Sequence, residues 1–186
     1  MTLIILAVIV LIVLLVLIGI YNRLVGLRQN CNQGSADIDT LLKQRHDLVP
    51  NLVATVQGYA AHEKAALEAV ITARGKAIGA SSPAESAAAE GVLSGALKGL
   101  FALSEAYPDL KANVNFQTLQ HELSEVEDKL AASRRAYNAA TADYNGATEA
   151  FPAVLFARAM GFQPRSFWEL AEDERKQLGT APQVSF

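Results

Sequence analysis

The sequence predicts an all-α protein: an N-terminal transmembrane helix continuing into an elongated antiparallel helical bundle with heptad-like packing. Three observations predict it. Residues 3–20 contain no charged or strongly polar side chain. Downstream, apolar and small residues recur in alternating steps of three and four, the pattern of helices laid side by side along a seam. Much of the 51% apolar content is Ala and Leu while aromatics are only 7%, a balance that favours helix over sheet.

The 186 residues suffice for one domain with a proper core, not for two large ones. A net charge of −3 provides no global basic field, which argues against a nucleic-acid partner. Cys31 is the only cysteine, so no disulfide forms within the chain and stability does not require an oxidising compartment.

The run LIILAVIVLIVLLVLIGI, residues 3–20, makes a helix about 27 Å long, enough to span a bilayer. Leu3, Leu6, Val10, Leu14, Leu17 and Ile20 represent its lipid-facing surface. A cleaved secretion signal is the competing reading. No Lys or Arg precedes the run, it exceeds a usual signal core, and no Ala-x-Ala site closes it, so an anchor is expected. Arg23 and Arg28 follow directly, with Lys43 and Arg45 further on. The positive-inside rule then places the N-terminus outside and the helical part in the cytoplasm of a bacterial inner membrane, as a single-pass protein.

The bundle is expected over residues 21–162, with helices at about 21–79, 83–106, 115–151 and 152–160. The first follows a seam through Leu24, Leu27, Cys31, Gly34, Ile38, Leu41, Arg45, Leu48 and Leu52, then through Val56, Tyr59, Glu63, Leu67, Val70, Arg74 and Ala77 after one extra step of four that alters the winding. Pro50 either kinks or ends this helix. Because the phase carries from Leu48 to Leu52, a kinked or bulged continuous helix is preferred.

The stretch GASSPAES, residues 79–86, separates the first helix from the second: Ser82 caps, Pro83 takes the first helical position and Glu85 completes a capping box. Gly91, Gly95 and Gly99 lie at spacing four inside that second helix. Each costs about 1 kcal/mol relative to Ala, so either close backbone packing compensates or the helix is merely weak. Tyr107-Pro108 stops it.

The third helix is expected to be capped by Asn115 and to follow Phe116, Leu119, Leu123, Val126, Leu130, Ser133, Tyr137, Ala140, Tyr144, Ala147 and Phe151. In RRAYNAATADYNGATEAFP the rings of Tyr137, Tyr144 and Phe151 stand seven apart. They occupy one heptad position and point at one partner surface, and their buried hydroxyls need partners. Gly34 and other small residues on the first helix leave room for rings, but the pattern does not say which layer faces which. PAVLFARAMG suggests a short fourth helix ending at Gly161. Residues 163–186 form an aromatic tail, expected to be extended and to dock on the bundle or a neighbouring chain.

These segments together resemble the LemA family of bacterial membrane-anchored proteins. The likeness rests on YNRLVGLR after an apolar anchor, IDTLLKQRHDLVPNLV, GYAAHE, YPDLKANVNFQTLQHELSEVEDKLAASRRAYNAATADYN and FPAVLFARAMGF. It implies a long helical bundle or hairpin after one transmembrane segment, with no established biochemical role; some relatives are linked to forming intracellular membrane compartments. This chain departs from the family's usual Ala-Trp at Gly34-Ser35, and from a usual basic residue at Gly26.

Catalytic signals are sparse. His62-Glu63 lacks the second His of a zinc-protease helix, and His121, Glu122 and Glu125 form no Glu-x-x-His pair of the di-iron kind. No phosphate-cradling or nucleophile-elbow motif occurs. Hence no catalytic residue, metal or cofactor is expected, and Cys31 is a packed thiol. Arg45, Arg74, Glu127 and Arg134 lie on or beside seams, where they either pair between helices or extend to water.

The expected function is therefore a non-enzymatic scaffold that contacts membrane lipid, self-associates into a homo-oligomer and organises or shapes membrane. The alternative is an adaptor presenting its helices to a membrane protein partner such as a protease or signalling protein.

Overall fold

In the computed structural model, which describes residues 1–168, α1 runs as one helix over Thr2–Tyr59 and passes through Pro50 without a break. Proline has no N–H, so the carbonyl four residues back loses its intrahelical donor. That carbonyl belongs to His46, and the Arg74 guanidinium Nε–H donates to it at 2.7 Å. The continuous alternative is the one adopted, with a side chain from another helix replacing the missing donor.

The first helix does not reach residue 79. It ends at Tyr59, and α2 covers Lys64–Ile78. Glu63 N–H donates to the Ala60 carbonyl in the intervening turn. The seam read through Tyr59 and Glu63 is thus corrected: Tyr59 is exposed, while Leu67 and Val70 join Leu52 and Val56 in one core. Folding back at 60–63 buries both apolar stretches against each other.

α3 covers Pro83–Ser104, beginning with Ser82 as cap and Pro83 in the first turn. The Ser82 hydroxyl oxygen accepts from Glu85 N–H at 3.2 Å, whereas the Glu85 carboxylate accepts from the Ser81 N–H and hydroxyl. The expected capping box is thereby shifted by one residue on its return bond. A short helix, α4, occupies Pro108–Lys111, and α5 spans Val114–Glu149. Its cap is Asn113, whose side-chain oxygen accepts from Phe116 N–H, and not Asn115.

Two compact units emerge from this chain. One comprises Met1–Ile38 and Ser133–Phe167; the other is built on Asp39–Ala132. α1 and α5 contribute to both. In the second unit, Val49, Leu52, Val56, Leu67, Val70, Leu93, Leu97, Leu100, Leu110, Phe116 and Leu123 form the core, with Leu48 half-buried against it. Phe101 and Phe116 meet edge to face at 6.2 Å. Gly95 and Gly99 are corrections: a Cβ at either would meet nothing within 4 Å. They lie away from the Leu93, Leu97 and Leu100 face, so among the described residues no close approach compensates them. Gly91 is half-buried in the same helix.

In the first unit α1 and α5 run antiparallel, and Leu24, Cys31, Tyr144, Ala153, Ala157 and Phe162 form its core, with Ile20 and Leu27 packed against it. Ile38 is buried too. The expected helix at 152–160 is reduced to a 3-10 turn, Ala153–Leu155, followed by further turns to Gly161. Gly161 has φ +82°, the left-handed conformation glycine adopts at no steric cost. Phe151 is a second correction. It lies beyond the end of α5 and is 81% exposed, because after Tyr144 the buried face continues through Thr148. Of the expected extended tail, residues 162–168 carry no helix or strand, and 169–186 lie outside the described residues.

Candidate functional site

In the first unit the tyrosine ladder has a partner on each side. A Cβ on Gly34 would stand 3.3 Å from the Tyr137 Cα, so the helices touch there backbone to ring. One turn away, the Cys31 thiol donates to the Ala140 carbonyl at 3.3 Å. On the other side a strap formed by residues 163–166 accepts both phenols: Tyr137 donates to the Ser166 carbonyl and Tyr144 to the Gln163 carbonyl, each at 3.0 Å. Asn145 adds a two-way pair with the Arg165 backbone, its amide donating to the carbonyl and its oxygen accepting from the N–H, both at 2.9 Å. The sequence showed that the hydroxyls needed partners, and the strap provides them. The role of Asn145 was not anticipated.

Three further contacts fix the strap. Phe162 is buried, edge-on to Tyr21 at 5.4 Å and beneath the Arg28 guanidinium at 5.1 Å. The Arg165 guanidinium lies 6.0 Å from the Tyr144 ring centre and donates to the Asn32 side-chain oxygen. Burial pushes the Tyr144 phenol above its ordinary range, opposed in part by Arg165 and Arg28.

The second unit contains a buried polar layer to which four helices contribute. Arg45 of α1, 3% exposed, donates to Glu90 of α3 at 2.9 Å and to the Ser94 hydroxyl at 2.7 Å, and forms an ion pair with Glu127 of α5 at 2.9 Å. Glu90, 1% exposed, also bonds His46 Nε2 at 2.6 Å. Arg74 of α2 reaches the His46 carbonyl. Of the four residues expected either to pair between helices or to extend to water, Arg45 and Glu127 lie together as an ion pair, and Arg74 bonds a backbone carbonyl of another helix. Arg134 is half-buried in the other unit.

Glu90, His46 and Ser94 were not foreseen as partners. The signal was present: Ala87, Glu90, Leu93, Leu97, Leu100 and Ser104 repeat in steps of three and four and are all buried. The layer borders a cleft of about 220 Å³ lined by Arg45, Ser94, Lys98, Gln120, Ser124 and Glu127 among others. Chemically the layer is an ion-pair clasp. The Ser94 hydroxyl is held by a guanidinium, and His46 is bonded to a carboxylate, so imidazole and hydroxyl are not joined to each other. Among the described residues no group of three or more His, Cys, Asp or Glu gathers where a metal ion could be held.

Among the described residues the apolar run at the N-terminus is largely uncovered, and only its end at Ile20 packs against the core of the first unit. Leu3, Leu6, Val10 and Leu14 are exposed, and Leu17 and Ile20 are half-buried. Among the described residues α1 alone is long and apolar enough to cross a membrane, and its most apolar window is 0% buried.

These features define a membrane-associated, all-helical protein. The LemA family model matches residues 34–186, and the chain belongs to that family. It is also similar to the magnetosome protein MamQ of Magnetospirillum gryphiswaldense, 24% identical over 169 residues, covering 77% of this chain and 62% of the relative. The chain thus spans somewhat under two thirds of the length of that relative.

Proposed function

We propose that this protein is a single-pass membrane scaffold that self-associates through its helices and organises or shapes membrane without performing chemistry. The observation that carries this reading is residues 3–20: an apolar helical surface that, among the described residues, is left largely uncovered up to its end at Ile20. Water opposes such exposure at about 25 cal/mol per Å², and a bilayer removes the cost. In the first unit the anchor runs without a break into the part of α1 that packs against α5. The likeness to a magnetosome protein supports a role in membrane organisation. Basic residues at Arg23 and Arg28 support an outside N-terminus with the helical part in the cytoplasm.

Self-association draws support from exposed apolar residues in the second unit, Ile71, Ile78 and Val92. Size measurement of the full chain in mild detergent tests it. Oligomers at micromolar concentration are expected. A clean monomer contradicts the reading, and co-purification of a different protein at fixed ratio, without self-association, replaces it with the adaptor.

A further inference from the structure

The loop that follows α5 exposes large apolar side chains that the fold leaves unused: Phe151 at 81%, Leu155 at 73%, Val154 at 50% and Met160 at 41%. Their neighbours Ala153, Ala157 and Phe162 are buried in the core of the first unit. The loop is thus firmly seated and its outward face apolar, a combination that calls for a covering surface.

Register identifies that surface. Cys31 meets Ala140 and Gly34 meets Tyr137, so three residues back along α1 correspond to three forward along α5. Continued in the same antiparallel register, Ala147 lies level with Leu24, and Phe151 level with Ile20, where the apolar run ends. The core agrees, since Ile20, Leu24 and Ala147 pack with Ala153 and Ala157. Charge points the same way. From 150 to 168 the sequence has no Asp or Glu and two arginines, Arg158 and Arg165. Arg158 is exposed, as is Arg23 on α1.

We propose that the loop face formed by Phe151, Val154, Leu155 and Met160 is a second membrane contact, seated in the headgroup–acyl boundary beside the transmembrane helix, with Arg158 facing lipid phosphates. Apolar and aromatic side chains at this depth lose their contact with water while nearby cations stay at the headgroups. This inference rests on the anchor reading, because residues 3–20 set the depth of the bilayer. It goes further by giving the loop a lipid partner of its own. A loop held at the boundary fixes the rotation of α1 about its axis, since one side of the helix must carry the loop.

The test uses the full chain with Cys31→Ala, reconstituted in vesicles of phosphatidylcholine and phosphatidylglycerol in equal parts, with one fluorescent label at a time on Phe151→Cys, Leu155→Cys, Val10→Cys or the exposed Ala139→Cys. Helicity by circular dichroism confirms that each variant folds. Nitroxide-bearing lipid is expected to quench the labels at 10, 151 and 155 several-fold more than the label at 139, while aqueous iodide ranks them in reverse. Quenching at 10 with none at 151 and 155 overturns the loop contact and leaves the anchor standing. Absence of quenching at all three overturns both. Self-quenching of the 151 label that disappears on dilution with unlabelled chain, without lipid quenching, assigns the face to a second copy and overturns the proposal.

Discussion

Arg74 donates to the His46 carbonyl that Pro50 leaves without a donor, so the two positions should be coupled. Arg74→Met strands a half-buried carbonyl and is expected to cost about 1–3 kcal/mol. In a Pro50→Ala background, where the helical N–H returns, the cost should shrink; urea unfolding of the double-mutant cycle in mild detergent measures the difference, and equal costs would refute the substitution of donors. Glu90→Leu leaves Arg45 buried beside one remaining carboxylate, and about 3–5 kcal/mol of destabilisation is expected, mostly recovered when Arg45→Leu is added. Thr141 is fully buried and, among the described residues, its hydroxyl has no partner, so Thr141→Val should raise stability by about 1 kcal/mol. At the same scale, the hydrogen bond to Glu63 holds the Tyr107 phenol above its ordinary range, with burial and the carboxylate charge acting in the same direction. The unfolded chain then ionises first as pH climbs. Stability from this contact is complete below the unfolded pKa and is lost as pH rises through the folded one. Alkaline absorbance titration should show a late component that Tyr107→Phe removes.

Helices differ in what their glycines allow. Gly34 faces the Tyr137 backbone, so Gly34→Leu should separate α1 from α5 and destabilise by about 1–3 kcal/mol. Gly95 and Gly99 face open space, and Ala at either should stabilise by about 0.5–1 kcal/mol, read as a rise in melting temperature. The two glycine classes are indistinguishable in sequence, because spacing gives the face of a helix and not what lies opposite. The long helices themselves were legible: Phe116, Leu123, Leu130, Tyr137 and Tyr144 announced α5 through local periodicity alone, and all five are buried. The reversal at 60–63 was not, since the seam phase survives a turn that has no Pro and only Gly58 nearby. The burial of Glu90 is not legible in this way, because a carboxylate at seam spacing reads equally as a solvated side chain until its partners on the other helices are known. The strap at 163–166 pairs through backbone carbonyls, for which side-chain patterns give no signal.

The whole molecule combines an uncovered apolar anchor with helices whose cores are well filled, in a family whose fold the sequence announced before its interactions. Ile71, Ile78 and Val92 are exposed outside the core of the second unit, and these are the surfaces through which the proposed scaffold would meet copies of itself. The proposed lipid contact of the loop at 151–160 would give the membrane a second hold. Self-association in the native membrane is the central claim, and site-specific photo-cross-linking from a residue at Val92, exposed on α3, tests it most directly. The account predicts a product of twice the chain mass that persists at native expression levels. Adducts formed only with a different protein, at a fixed ratio and with no self-product, would contradict it.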